Sequence, residues 1–277
     1  MHIFDNSEIK DVLNSIYTNN PDRVLKLCWQ YIDLNESLEI NCICEYIISL
    51  YNDKKNLKDI LRRFSKCDNV NLVSELVRLI GALEFGKNEY YLKVAEETCS
   101  MVCELGRDIQ KDFEEKYEKD VSSEVWMNGA ILRGVALNLA DFFYRKSDYE
   151  KELKMLGVRA VVTNSIMFDD LHFVGPTMVD YADCLIRLNR KDEAKKFYSV
   201  IVNDFKHFIG NYISNPLNLK EEDYFSIKSL RSSLEALIDN KERKNKIDNN
   251  VMKYEIMLKD VDLILNKSGY EENIQKK

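Results

Sequence analysis

The sequence predicts an all-α protein built from antiparallel helical hairpins stacked as an α-solenoid. Nine Gly and three Pro in 277 residues are too few for the many turns of a β fold, and they point to long helices joined by brief connections. Between short polar turns, apolar residues recur at helical spacing. Five such turns begin at Asn19, Asn52, Gly86, Lys146 and Asn189, spaced 33, 34, 60 and 43 residues apart. One turn between two helices, repeated about every thirty to forty residues, is the signature of stacked hairpins.

Each element follows from its own pattern. Ile9, Val12, Leu13, Ile16 and Tyr17 mark a first helix. Pro21 opens the second at its first turn, with Asn20 as N-cap. A second pair covers Ile40–Tyr51 and Leu57–Phe64, and a third joins Leu72–Phe85 to a long helix from Tyr90. Between residues 106 and 120 that helix is mostly charged, with a thin stripe of Ile109, Phe113 and Tyr117, so a lightly packed extension is expected. Val125–Tyr144 and Tyr149–Val162 form a fourth pair. A loop holding Ile166, Phe168, Leu171 and Phe173 precedes Pro176, which is expected to open the first helix of a fifth pair ending near Phe208. Gly210–Leu219 reads as the clearest interruption. The expected organisation is a repeat array over residues 1–209, capping helices over 220–266 and a frayed tail over 267–277.

An internal echo sits in the second half. Ala140-Asp141-Phe142-Phe143-Tyr144-Arg145 and Ala182-Asp183-Cys184-Leu185-Ile186-Arg187 share the pattern Ala-Asp, three apolar residues, Arg, each just before a turn. Glu152-Leu153 and Glu193-Ala194 follow the turns. The stretch Tyr181–Asp204 resembles a tetratricopeptide repeat, with Ala182, Leu185, Ala194, Tyr198 and Ile201 at the small, large apolar, small, aromatic and usually small positions. It departs from that family at Met178, where Trp is favoured, and in lacking a terminal Pro. The resemblance covers about half the chain. It implies a superhelix whose first helices line a concave groove, placing Tyr46, Asp141, Tyr144, Arg145, Asp183 and Arg187 there as partner-binding residues. The plainer alternative for Asp141/Arg145 and Asp183/Arg187 is an i,i+4 ion pair, stabilising by a few tenths of a kcal/mol. Trp29 and Trp126 are expected to fill core space.

Motifs for bond chemistry are weak. Gly81 to Asn88 nearly matches a phosphate-binding loop, but Asn88 stands where Ser or Thr is needed, the preceding residues are helically spaced, and Gly86 suits a helix C-cap. The seven cysteines have no zinc-ligand spacing to the three histidines, and most are expected as buried small hydrophobes. Asp169, Asp170 and His172 could bind a cation or supply a base, yet such a loop is more often solvated. Lys55, Lys58, Arg62 and Lys66 give one basic helix face, interrupted by Asp59. No cofactor or metal is expected.

The net charge of −7 disfavours general nucleic-acid or anionic-membrane binding and steers towards basic partners. No stretch approaches the roughly 18 consecutive apolar residues of a membrane span. The opening residues lack a secretory pattern, and an odd, scattered set of cysteines suits a reducing cytoplasm. The expected function is non-enzymatic: a module that binds a polypeptide or another folded protein in a helical groove. The alternatives are an immunity or antitoxin-type inhibitor covering a toxin's active surface, a peptide-sensing regulator, and an all-helical enzyme.

Overall fold

The computed structural model describes residues 7–34, 37–52, 59–60, 69–115, 123–166, 171–239 and 251–268. Among them are eleven α-helices, one 3₁₀ turn and no strand. The chain divides into two compact units, Met1–Lys146 and Ser147–Lys277, at the fourth of the five turns.

The first unit contains α1 (Ser7–Tyr17), α2 (Pro21–Leu34), α3 (Leu38–Tyr51), α4 (Asn69–Phe85), α5 (Tyr90–Glu115) and α6 (Ser123–Arg145). Sequential neighbours pack as hairpins, but α1 also lies directly against α4, and α4 against α6. Helix α3 is apolar nearly all round, and nine of its fourteen residues, Ile40 to Cys44, Tyr46 to Ile48 and Leu50, are buried. A helix with no polar face belongs inside, which explains why both Cys42 and Cys44 are buried although they point to different sides. Ser37 caps α3 by accepting the Ile40 N–H at 3.3 Å.

The second unit contains α7 (Tyr149–Ile166), α8 (Leu171–Arg187), α9 (Lys191–Ile213), a 3₁₀ turn η1 (Pro216–Asn218), α10 (Glu221–Asp239) and α11 (Val251–Ser268). Here α7 packs on α8, α8 on both α9 and α10, α10 on α11, and α9 on α11. Ala182, Leu185, Ala194 and Tyr198 are all buried in this stack. Two boundaries differ from expectation. Helix α8 begins at Leu171, so Pro176 lies inside it and offers no N–H to the His172 carbonyl. Helix α9 runs through Gly210 to Ile213, and the break comes at Ser214.

Four of the five turns share one construction. Each places a non-glycine residue in the left-handed region: Asn19 (φ 49°), Lys87 (56°), Ser147 (58°) and Asn189 (60°). Three close with the paired bonds of a Schellman motif. Asn19 and Asn20 donate to Ile16 and Ser15, Lys87 and Asn88 to Glu84 and Leu83, and Asn189 and Arg190 to Ile186 and Leu185. In three of the four, the next residue then caps the following helix, whereas Arg190 after Asn189 makes no side-chain cap. Asn20 accepts from the Arg23 N–H, Asn88 from the Tyr90 N–H and Asp148 from the Lys151 N–H, at 3.0–3.2 Å. Asn52 differs, with φ −101°.

Gly86 ends α4 without being the left-handed residue. Its backbone passes so close to α1 that a Cβ there would sit 2.6 Å from the Ile16 carbonyl oxygen. The glycine is required by approach, and Lys87 takes the positive φ that the sequence suggested for it.

Candidate functional site

The six proposed groove residues have different fates. Tyr46 is fully buried, and its hydroxyl donates to Glu97 on α5 at 2.5 Å. Burial first, and then the Glu97 carboxylate, push its phenol well above its ordinary pKa. It is a core residue joining α3 to α5, and a surface contact through it is corrected. The reason is the enclosure of α3, which leaves no open side for a groove.

Asp141, Tyr144 and Arg145 share the exposed side of α6. The i,i+4 pair with Asp141 is replaced by a tie between helices. Arg145 Nη1 stands 3.3 Å from both carboxylate oxygens of Glu84 on α4, with its side chain 58% exposed. Lys146 Nζ reaches the same carboxylate at 2.7 Å and lies 4.7 Å from the centre of the Tyr91 ring. Burial alone would raise the Glu84 carboxyl. The Lys146 hydrogen bond and the charges of Arg145 and Lys146 outweigh it and hold Glu84 below the usual carboxylate range. Lys146 is raised in turn, chiefly by that hydrogen bond.

Next to this triad, Phe85 is 75% exposed and stacks edge-to-face on the exposed Tyr17 at 5.3 Å. The α1–α4 contact and the Gly86 turn hold these rings side by side. Tyr51 and Tyr90 meet edge-to-face nearby at 5.8 Å, with the Asn88 amide donating to the Tyr51 hydroxyl at 3.2 Å. The turn end of the first unit is therefore aromatic and cationic. Tyr17, Phe85, Glu84 and Lys146 were absent from the sequence-based site. One signal was available, because Phe85 falls on the face of α4 occupied by Arg78 and Gly81, away from the buried Leu72, Leu76 and Leu83.

In the second unit the echoed residues turn inward. Arg187 pairs with Glu152 on α7, whose side chain is only 5% exposed, and its guanidinium carbon lies 5.7 Å from the centre of the Tyr149 ring. Burial would lower the Arg187 pKa, but the Glu152 charge outweighs it and raises it. Asp183 accepts the Tyr198 hydroxyl hydrogen, tying α8 to α9. Cys184 donates to the Tyr149 carbonyl at 3.3 Å, and burial with the nearby Glu152 charge pushes its thiol up to about 12. A thiol so raised is not a nucleophile at neutral pH. These groups bond helix to helix within the unit.

A further cleft of about 450 Å³ lies between α10 and α11, lined by Lys228, Arg231, Ser232, Asp262, Leu265 and Asn266. Arg231 bridges it, 2.7 Å from Asp262 and 2.9 Å from Glu235. Its charges largely match one another.

Trp29 and Trp126 do not fill the core; they are 54% and 42% exposed. Trp29 shares its side of α2 with Asp22 and Lys26, and Trp126 opens α6 beside Phe113 with ring centres 6.3 Å apart. None of the six described cysteines is in a disulfide; Cys28, Cys42, Cys44, Cys99 and Cys184 are buried and Cys103 is half-buried. No group of three metal-ligating side chains occurs among the described residues. None of the described helices is long and apolar enough to cross a membrane. Gly81 lies inside α4, so no strand precedes the near phosphate-loop pattern. Asp169, Asp170 and the basic set Lys55, Lys58, Arg62 and Lys66 lie outside the described residues.

No family model, curated protein or solved structure matches this chain.

Proposed function

We propose that this protein is a non-enzymatic binding module that holds a polypeptide or folded protein on the turn end of its first unit. The observation that carries this is the exposed Phe85–Tyr17 pair beside Arg145. A large aromatic left three-quarters exposed is costly to keep in water, and Tyr, Phe and Arg are the side chains most enriched at protein interfaces. The surface stands on helix ends fixed by Schellman turns and by the Glu84 tie, so little conformational freedom is lost when a partner docks. The finer architecture we propose is a helical-hairpin array related in design to tetratricopeptide repeats. The shared turn and the packing of α8 against both α9 and α10 support it, while the enclosed α3 gives the first unit a bundle-like centre.

The test compares wild-type protein with the Phe85→Ala/Arg145→Ala double variant as affinity baits in a lysate of the native source, with bound proteins quantified by mass spectrometry. Both substitutions are at exposed positions, so the far-UV circular dichroism should be unchanged. A specific partner should be retained by wild type and reduced about tenfold or more in the variant. Equal retention by both would remove this surface from the binding function.

A further inference from the structure

We infer that the partner of this surface presents a carboxylate within about two residues of a large apolar side chain. The inference rests on the binding role proposed above and names the chemistry that the same site would take. Glu84, Arg145 and Lys146 form a triad in which two cations share one carboxylate, leaving a local charge of +1 in a chain of net charge −7. The two cations are not held equally. Lys146 makes the short contact at 2.7 Å, whereas Arg145 touches Glu84 only through Nη1, at 3.3 Å. A guanidinium has five N–H donors in a planar fork that matches a carboxylate bidentately. The remaining edge of Arg145, on a side chain 58% exposed, is thus open to a second acid.

Apolar recognition lies alongside. Glu84 and Phe85 are consecutive in the last turn of α4, where neighbouring side chains diverge by about 100°, so the anchored guanidinium and the exposed ring stand on adjacent sides of one helix end. A segment that docks its apolar side chain against Phe85 and Tyr17 brings its neighbouring residues over Arg145. An acid there completes the charge balance of the triad, and a Lys or Arg there would meet two like charges. Asp141, exposed one turn back on α6, sets the far limit of the favourable zone, since a second acid placed beyond Arg145 would be repelled.

A phage-displayed library of random dodecapeptides, selected on wild-type protein and counter-selected on Phe85→Ala/Arg145→Ala, tests this. Enriched peptides should carry Asp or Glu within two residues of Phe, Trp, Leu or Met. A synthetic copy of one should bind about tenfold tighter than the same peptide with the acid replaced by Lys, by fluorescence anisotropy. Arg145→Gln should abolish that preference while weakening the Lys peptide little. Enrichment of basic peptides, no enrichment, or an unchanged preference in Arg145→Gln would overturn the inference. Sedimentation velocity covers the other occupant: a wild-type dimer that dissociates in Phe85→Ala would assign the surface to a second copy of this chain and equally overturn it. If the lysate partner is lost in the double variant while the peptides show no acidic preference, the binding role stands and only its chemistry falls.

Discussion

Gly86→Ala is the sharpest probe of how the first unit is assembled. The added Cβ would lie 2.6 Å from the Ile16 carbonyl oxygen, inside the 3.0 Å that real Cβ atoms respect, and 3.3 Å from that of Ala82. At least 0.4 Å must be recovered, and because the obstacle is backbone, α1 as a whole has to move off α4. Overpacking of this kind costs about 1–3 kcal/mol, offset by roughly 0.4–1 kcal/mol from the stiffer unfolded chain. A net loss of about 1–2 kcal/mol lowers the midpoint by roughly 2–8 °C in a protein of this size. Gly81→Ala is the control five residues earlier. Nothing lies within 4 Å of its added Cβ, so helix propensity alone should stabilise by about 0.5–1 kcal/mol. The two tryptophans, Trp29 and Trp126, both belong to the first unit, so intrinsic fluorescence during urea unfolding follows that unit selectively. Lys87→Gly separates the two roles a glycine could have here, and it should stabilise by about 1 kcal/mol because Lys87 holds φ at 56°. If Gly86→Ala were as stabilising as Gly81→Ala, the close approach of α1 to the Gly86 turn would be refuted.

Three more outcomes follow from side-chain partners. Arg187→Ala removes the cation paired with Glu152, whose side chain is 5% exposed, and should cost about 2–4 kcal/mol; Arg145→Ala should cost under about 1 kcal/mol, and comparable thermal midpoints for the two variants would contradict the inward and outward roles assigned to them. Tyr46→Phe removes the 2.5 Å bond to Glu97 and should destabilise by about 1–2 kcal/mol without changing partner retention, so lost retention in a stably folded variant would restore Tyr46 to the binding surface. The Glu84 carboxyl is held below its ordinary range, so its contribution is full at neutral pH and is lost as pH falls through its folded value. The stability gap between wild type and Glu84→Gln should therefore be constant from about pH 7 to 5 and close below about pH 4, and a gap that widens on acidification would reverse the assigned direction.

Much of the helical layout was legible because it is encoded locally. Tyr90 and Tyr149 begin their helices where the pattern put them, and Asn19, Asn189 and Asp148 sit in turns for reasons internal to each turn. Pro176 and Gly210 misled because each is a breaker by propensity alone, and the helices around them are long enough to continue through. The candidate site was less legible. Asp141 with Arg145 and Asp183 with Arg187 are identical in spacing, yet one arginine faces solvent and the other a buried carboxylate. Spacing places two residues on one side of a helix, but it cannot say what stands opposite.

By itself, then, the sequence determined the all-α class, the turns and most helix limits, since periodicity, capping and glycine scarcity act within a few residues along the chain. Only the tertiary structure decided that α3 is enclosed, burying Tyr46, that α1 meets α4 closely enough to demand Gly86, and that Phe85 and Arg145 emerge together through Glu84. Those outcomes depend on residues dozens of positions apart, brought together by burial of apolar faces, and no local pattern carries that information.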